Sequence, residues 1–309
     1  MYNEELKMKF AEDGAENNRS FAMFVFSKTE KYEKKYKKDL CQMDEKELSV
    51  SLKDLSTIRS KSVGHYKKLL SDYAQWCIDN KVRNANDNLK RAEFSNVEKL
   101  KRCTLRSPAH LQRCLDAVYK SEEREGVENT VRCAYWMSYS GIMYDDLFLI
   151  TSDCINLSDM TISYKGFTYP IFREAIPCIK KCMELKSFRL YYNLSDYVYV
   201  PRYGGNILIR GTKAPSPNPK SFSHNNAEKL RKARADGKLD IELSFYSVWL
   251  SGLFFRTYMD EMDGFPVDFS KAVDEINTIK GLNPSRQTRA DQKSLFGKDY
   301  KAWKTNLFK

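Results

Sequence analysis

The sequence predicts a mainly α-helical protein with a small antiparallel β-sheet, divided into two domains. Three observations favour this fold class. Apolar residues recur at helical spacing over most of the chain, one strand–turn–strand pattern occurs, and one polar segment lacks any apolar period. The chain has 309 residues, a comfortable length for two domains. Hydrophobic residues make up 42% and charged residues 30%, which excludes an intrinsically disordered composition.

Residues 1–80 are predicted to form a small helical domain. Arg19–Met43 and Ser60–Asn80 carry apolar residues three and four positions apart. Between them, Asp44 followed by Glu47 has the spacing of a capping box and predicts a short helix over Asp44–Leu55. Residues 81–100 are largely polar and without an apolar period, so we interpret them as an inter-domain linker.

Residues 101–309 are predicted to form the second domain. Ser107-Pro108 is a helix-start signal, and Lys165-Gly166-Phe167 separates two strand patterns, Met160–Tyr164 and Thr168–Phe172. Tyr197–Pro201 has the pattern of a strand end. The predicted helices of this domain are Ala109–Tyr119, Val127–Tyr139, Ala175–Leu185, His224–Arg234, Ser247–Met259, Phe269–Ile279 and Asp299–Leu307.

Eight scattered cysteines without a CxxC pair predict reduced thiols, and we expect neither a metal site nor a cofactor. No apolar run is long enough to cross a bilayer, and the first residues do not resemble a secretory signal. We therefore expect a cytoplasmic protein that does not bind membranes.

The positive charge is concentrated in two segments. The formal net charge is +11, while residues 202–238 contain nine Lys/Arg and two acids, and residues 280–309 contain eight and two. The remainder of the chain is close to balanced. A focal positive charge predicts a surface that faces phosphates.

Three stretches resemble the tyrosine recombinases, or phage integrases. Ala134–Leu147, AYWMSYSGIMYDDL, resembles the box that holds the first catalytic arginine, and Met143 stands at the arginine's place. Ser152–Ala175 resembles the catalytic hairpin, with Lys165 at or near the catalytic lysine. Ser244–Gly252, SFYSVWLSG, resembles the "His-x-Leu-Arg-His-Ser-Gly" box, with Tyr246 for the histidine and Trp249 for the second arginine.

Two further stretches extend the resemblance over most of the chain. Tyr300, in KDYKAW, stands where the family carries its nucleophile, and KSVGHYKKLLSDYAQW resembles the core-binding domain. The resemblance implies a core-binding-like domain and a catalytic-like domain that clamp double-stranded DNA. It also implies that apolar residues of the C-terminal helix contact a neighbouring subunit, although this helix can equally dock on its own domain.

The departures from the family motif predict a protein that does not cut DNA. In the family, two arginines bind the oxygens of the transition state, and neither Met143 nor Trp249 carries a charge. Loss of one such donor commonly costs about 100- to 1000-fold in rate. The alternative is an active recombinase that uses Tyr300, in which Arg132 or Arg256 supplies an arginine.

The candidate DNA-binding residues lie on two predicted helices and in the loops before the second. Asn225 and Asn226 are suited to adenine, because the amide can read N6 and N7 together. The full set is Lys61, Ser62, His65, Lys68, Lys165, Arg202, Arg210, Lys213, Lys220, Ser223, His224, Asn225, Asn226 and Lys229.

The leading hypothesis is a sequence-specific DNA-binding protein with a degenerate recombinase fold. The chain is similar to the non-cutting, integrase-like repressors of SPβ-type temperate Bacillus phages. This resemblance implies transcriptional repression that maintains lysogeny, association with the nucleoid of a bacterial host, and relief by a regulatory protein or peptide of unknown identity. A third hypothesis is an interaction protein whose basic surface is incidental.

Overall fold

The computed structural model divides into two compact units, residues 1–100 and 101–309. It describes residues 1–14, 19–55, 58, 60–92, 95–120, 125–192, 195–199, 206–211 and 214–307. Helices dominate both units, and the strands are few and antiparallel, so the predicted fold class, mainly α with a small antiparallel sheet, is confirmed. Among the described residues, no helix combines the length and apolarity that a bilayer-spanning segment needs.

The first unit is helical. Its helices are α1 (Glu4–Asp13), α2 (Arg19–Tyr36), α3 (Glu45–Ser51), α4 (Ser60–Asp79) and α5 (Asn88–Arg91), and α6 (Val97–Cys103) runs across the division. Helix α2 ends at Tyr36 rather than continuing to Met43, because Lys37 adopts a positive φ of 54° and breaks the helical backbone. The capping box predicted at Asp44 and Glu47 is present in both directions. The buried face of α4 includes Leu70, Tyr73 and Cys77, as the spacing predicted.

A buried cluster of charges connects α1, α2 and α4 of this unit. The Lys7 Nζ lies 2.5 Å from the carboxylate of Glu33 and 3.8 Å from Asp39, and all three side chains are fully buried. Burial raises the pKa of Glu33 to about 7, against the opposing effect of the Lys7 ammonium. Asp39 also accepts hydrogen bonds from the Tyr73 hydroxyl at 2.8 Å and the Cys41 backbone N–H at 3.1 Å.

The prediction that residues 81–100 form an inter-domain linker is wrong for residues 82–92, which belong to the first unit. Leu89 is fully buried in the core of the first unit, and Val82, Ala85 and Ala92 pack against that core. The Asn86 backbone N–H donates to the Cys41 carbonyl at 2.8 Å. The segment is polar because its backbone and side chains form hydrogen bonds of this kind to residues far away in sequence, which an apolar period does not detect.

The second unit is built around α8 (Glu125–Ser140) and α11 (Phe245–Met262), which pack against each other. Around them lie α7 (Pro108–Val118), α9 (Ile176–Met183), α10 (Pro219–Ala235), α12 (Phe269–Ile279) and α13 (Arg286–Thr305). The closest approach is at Gly252, where a Cβ would overlap the backbone carbonyl of Tyr139. Glycine is required there because the two backbones leave no space for a side chain.

The sheet is the predicted hairpin with one additional short strand. Strands β1 (Ile155–Asn156), β2 (Thr161–Tyr164) and β3 (Phe167–Pro170) are consecutive and antiparallel. The turn between β2 and β3 is Lys165-Gly166 with φ angles of 50° and 79°, so Phe167 belongs to the strand. A second hairpin, β4 (Phe188–Tyr192) with β5 (Ser195–Tyr199), contains the predicted Tyr197 strand, whose partner was not predicted.

Helices α10 and α13 begin well before the residues at which their apolar patterns start. Helix α10 begins at Pro219, five residues before His224, because Asn218 caps it and proline occupies its first position. Helix α13 spans 20 residues from Arg286, whereas only its last part was predicted. Its exposed first turns carry no apolar stripe, so the helix there is set by the Ser285 cap, whose side chain accepts from the Thr288 N–H.

Replacing Lys7 by methionine should destabilise the first unit by about 3–5 kcal/mol, since Glu33 loses its buried counter-charge. Lys7→Met/Glu33→Leu should recover only part of this loss, because Glu33 is removed together with its counter-charge while the buried Asp39 keeps only its hydrogen bonds. Urea unfolding of the full chain measures the effect, with the exposed Lys46→Met as the control. Equal stability of Lys7→Met and Lys46→Met would contradict the central role of the cluster.

Gly252→Ala should lower the free energy of unfolding by more than about 3 kcal/mol, because backbone rather than a flexible side chain blocks the new methyl group. Gly64→Ala, at an open position of α4, is the control and should be neutral or stabilising by up to about 1 kcal/mol. Thermal unfolding of both variants decides the comparison, and a Gly252→Ala protein as stable as the parent would refute the close packing.

Candidate nucleic-acid interface and recombinase-like site

Uncharged side chains, Met143 and Trp249, stand at the two positions that the family resemblance assigns to arginines. Trp249 is buried, and its Nε1 donates a hydrogen bond to the Gly141 carbonyl at 3.0 Å. Gly141 has a φ of 134°, a conformation that requires glycine, and it lies two residues before the half-buried Met143. The half-buried Tyr246 packs on the Trp249 ring with a centroid distance of 5.7 Å. Tyr246, Trp249 and Met143 present no cation to a phosphate.

Tyr300 is held as a hydrogen-bond donor inside the second unit. It is 2% exposed, and its hydroxyl donates to Glu261 at 2.6 Å. Burial and the Glu261 carboxylate raise the pKa of Tyr300 well above its usual range. The rings of Phe254, Phe269 and Trp303 surround it. An attack on phosphorus needs an exposed oxygen that can lose its proton, and this arrangement opposes both requirements.

Lys165 forms an ion pair at the tip of the hairpin. Its Nζ lies 2.8 Å from Asp146 Oδ1, and the Tyr164 hydroxyl donates to the same oxygen at 3.2 Å. Asp146 raises the pKa of Lys165 through this hydrogen bond. The lysine side chain remains 45% exposed, so it can still approach a phosphate at the surface of the second unit.

Both arginines of the alternative alignment are paired within the second unit. Arg256 forms a bidentate pair with Glu275 at 2.9 and 3.3 Å and lies over the Tyr169 ring at 5.5 Å. Arg132 binds Asp116 at 2.6 Å and the Tyr119 carbonyl at 2.9 Å. Both guanidinium groups therefore serve the protein's own packing, and a phosphate would have to displace a carboxylate partner.

Helix α10 has one face packed on its own unit and one face exposed. Asn226, Leu230 and Ala233 are buried, whereas Lys220, His224 and Asn225 are exposed and Ser223 is half-buried. Among the described residues, the Asn225 side chain has no hydrogen-bond partner. Asn225, His224 and Lys220 therefore present polar or charged groups to solvent on a helix that is rich in basic residues.

Two residues predicted to bind DNA on this helix are instead used to hold it in place. Asn226 accepts a hydrogen bond from the Tyr119 hydroxyl at 3.0 Å and donates to the Phe222 carbonyl at 2.7 Å. Lys229 pairs with the buried Glu128 at 2.7 Å and lies 4.6 Å from the Tyr119 ring centroid. The DNA contacts predicted for both stay predictions: base reading by Asn226 would break two internal bonds, and phosphate binding by Lys229, whose side chain is 40% exposed, would compete with Glu128.

Of the predicted DNA-binding residues in the loops before α10, one has internal partners and two lie outside the described residues. Arg210 donates to the backbone carbonyls of Leu185 at 2.5 Å and Ile207 at 3.0 Å, so it braces the loops and its predicted DNA contact is not supported. Arg202 and Lys213 lie outside the described residues, and for them the prediction stands unchanged.

In the first unit, the candidate face of α4 is exposed. His65 and Lys68 are exposed and Ser62 is half-buried, while the side chain of Lys61 lies outside the described set. Residues 61, 65 and 68 share one side of the helix by their spacing. The Lys68 Nζ lies 3.0 Å from Asp72, a pair that is 76% and 54% exposed and therefore weak enough to exchange for a phosphate.

One group of three potential metal ligands occurs among the described residues. His110, Cys114 and Asp240 place their ligand atoms within 4.8 Å of one another. The His110 Nδ1 accepts a hydrogen bond from the Arg106 N–H at 3.4 Å, and burial lowers the pKa of His110. Arg106 and Arg113 act on this imidazole as positive charges, which oppose a bound dication. We assign the group no metal role.

Sequence reasoning did not find the carboxylates that control these side chains. Glu261 binds Tyr300, Asp146 binds Lys165, and Glu128 binds Lys229 across 39, 19 and 101 positions of sequence. Partners so far apart leave no local periodic signal, and only the folded chain brings them together.

Comparison with known proteins gave one family match and several structural matches. Residues 1–79 match the family model described as MrpR, N-terminal core-binding domain. No curated protein matched the chain. The helical first unit was predicted to be core-binding-like, and this match agrees with that prediction over those residues.

The structural matches extend over most of the chain at low similarity. XerA recombinase is 12% identical with a TM-score of 0.40, over 94% of this chain and 92% of that one. A lambda integrase dimer bound to a COC′ core site is 13% identical, with a TM-score of 0.42, over 95% and 77%. The Tn1549 transposon integrase in complex with circular intermediate DNA is 12% identical, with a TM-score of 0.41, over 93% and 94%. At these scores the likeness carries no functional conclusion.

Tyr300→Phe should destabilise the second unit by about 1–2 kcal/mol, since Glu261 loses a charge-assisted hydrogen bond. In a double-mutant cycle with Glu261→Gln, the two losses should be less than additive. Denaturant unfolding of the four proteins measures this coupling. Strict additivity would contradict a structural role for the Tyr300 hydroxyl.

Proposed function

We propose that this chain is a sequence-specific, double-stranded DNA-binding protein that does not cut its target. In this account it acts in the bacterial cytoplasm, at the nucleoid, as a transcriptional repressor of a temperate phage and maintains lysogeny. Both units contribute to DNA binding, the first through the exposed face of α4 and the second through α10 and Lys165.

The observation that carries this proposal is the state of the recombinase-like site. Trp249 donates to a backbone carbonyl, Met143 is uncharged, and Tyr300 is buried against a carboxylate. A phosphoryl-transfer centre needs preorganised cations for the transition state and an accessible nucleophile. These residues supply neither, and the active-recombinase alternative loses its support with them.

The basic surface supports DNA binding. Helix α10 carries Lys220, Arg231 and Lys232 on exposed positions, and it belongs to the segment with the strongest positive excess in the chain. Phosphate contacts of this kind supply affinity, whereas polar side chains such as Asn225 supply readout of base edges. The match of residues 1–79 to a core-binding domain model supports a DNA-binding role for the first unit as well.

Repression follows from binding without chemistry. A protein that occupies a duplex and leaves it intact can exclude RNA polymerase from a promoter. The resemblance to integrase-like phage repressors supports this role. Self-association through α13 and control by a further protein or peptide remain parts of the proposal. Within the second unit, Trp303 of α13 is buried and donates to the Leu105 carbonyl at 2.8 Å, so this part of the helix docks on its own unit.

The protein should select one recurring motif from fragmented host and phage DNA at near-physiological salt. His224→Ala/Asn225→Ala should abolish the enrichment, because both side chains lie on the exposed face of α10. Lys298→Ala removes an exposed positive charge from α13 and should leave the motif unchanged. Sequencing of the captured DNA is the readout. Enrichment without any common motif would end the regulator proposal.

The affinity for the selected duplex should fall steeply with salt. About six phosphate contacts predict a loss of roughly 1000-fold between 50 and 200 mM salt. Fluorescence anisotropy at several salt concentrations gives the slope. An affinity that does not respond to salt would favour an interaction protein whose basic surface is incidental.

A further inference from the structure

The exposed face of α10 has an acidic residue at its centre. Asn226, Leu230 and Ala233 mark the buried side of the helix. Because successive residues are about 100° apart around the axis, Glu228 lies almost opposite this buried side. His224 and Arg231 lie one turn before and one turn after it on the same exposed face.

Glu228 and Arg231 form an exposed ion pair. The guanidinium donates to the carboxylate at 2.7 Å through Nη2 and at 3.3 Å through Nε, and the two side chains are 59% and 74% exposed. The Arg231 hydrogen bond is the largest cause that lowers the pKa of Glu228, and the charge of His224 contributes too. The carboxylate is therefore ionised at neutral pH, with an acceptor and a donor displayed side by side.

A carboxylate at this position is informative about the ligand. The major groove is about 12 Å wide and admits a helix, so that the flanks of the helix approach phosphates and its centre approaches base edges. An ionised carboxylate repels phosphates, and among the groups of the base edges only an amino group can donate to it. Cytosine N4 has an acceptor on one side only, guanine O6, whereas adenine N6 lies between its own N7 and thymine O4, two acceptors that repel the carboxylate.

We propose that the Glu228–Arg231 pair is the specificity determinant of α10 and reads G·C base pairs. This inference rests on the DNA-binding function proposed above. Glu228 accepts a hydrogen bond from cytosine N4, and Arg231, oriented by Glu228 through Nε and Nη2, donates the remaining N–H groups of Nη1 and Nη2 to O6 and N7 of guanine. The carboxylate of Glu228 then complements the cytosine amino group, and the guanidinium of Arg231 complements the two guanine acceptors of the same edge.

Glu228→Gln separates base reading from a purely electrostatic surface. Loss of a negative charge should tighten binding to every sequence if α10 only contacts phosphates. If Glu228 reads cytosine, the variant should instead bind the parent motif about 5- to 150-fold more weakly and lose the preference for cytosine at one position. Glu184→Gln, which removes an exposed charge from the C-terminal end of α9, is the matched control and should change neither.

Arg231→Lys keeps the charge and removes the planar fork. It should leave the salt dependence unchanged while the preference for guanine falls by about 10-fold or more. The experiment is selection from a random duplex library with the full-length parent, Glu228→Gln, Arg231→Lys and Glu184→Gln proteins, followed by affinity measurements. Circular dichroism confirms that each variant is folded.

The possible outcomes are distinct. A motif with a G·C pair whose preference is lost in Glu228→Gln and Arg231→Lys supports the inference. A motif that both variants retain, with uniformly tighter binding of Glu228→Gln, overturns the inference and leaves the DNA-binding function intact. The absence of any motif for the parent protein overturns the proposed function, and this inference falls with it.

Discussion

The second unit depends on the contact between α8 and α11. Gly252 brings the two backbones together at Tyr139, and Trp249, one turn earlier on α11, donates to the carbonyl of Gly141 at the end of α8. This contact sets the position of the loop that contains Met143. It also uses Trp249, at one of the two positions where the family resemblance places an arginine, for packing and for a hydrogen bond to the backbone. The cation near this contact, Arg256, is paired with Glu275.

The surface of α10 that is proposed to bind DNA depends on the contacts that hold this helix on the second unit. Tyr119 on the segment after α7 and Glu128 on α8 bind Asn226 and Lys229, so the inner side of α10 is fixed by a hydrogen bond and by an ion pair whose carboxylate is buried. A buried charge that lost its partner would be costly, and this fixes the rotation of the helix about its axis. The opposite side, with His224, Asn225 and Glu228, is then presented outward as one polar face. A rigid helix with a defined outer face suits base reading better than a mobile basic segment does.

The sequence predicted the fold class, most helices of both units and the β2–β3 hairpin, because apolar spacing, caps and a glycine turn are local signals. It did not predict the ends of α10 and α13, since exposed helix starts are set by a capping residue rather than by a stripe. It also predicted DNA contacts for Asn226 and Lys229, whose side chains have partners inside the second unit. Their residue types fit both roles, and only partners more than 100 positions away distinguish an inward from an outward side chain. The uncharged residues at the two arginine positions of the family resemblance, Met143 and Trp249, are read directly from the sequence, whereas the burial of Tyr300 against Glu261 was not predicted.

The central claim is that the protein binds its duplex and leaves the phosphodiester intact. The most direct measurement incubates the full chain with a nicked duplex that carries the selected motif and compares native with denaturing gels. We expect a complex on the native gel and no protein–DNA adduct on the denaturing gel, because Tyr300 is buried and no arginine stands at its family position. A covalent adduct that forms with the parent chain and is lost in Tyr300→Phe would contradict the account.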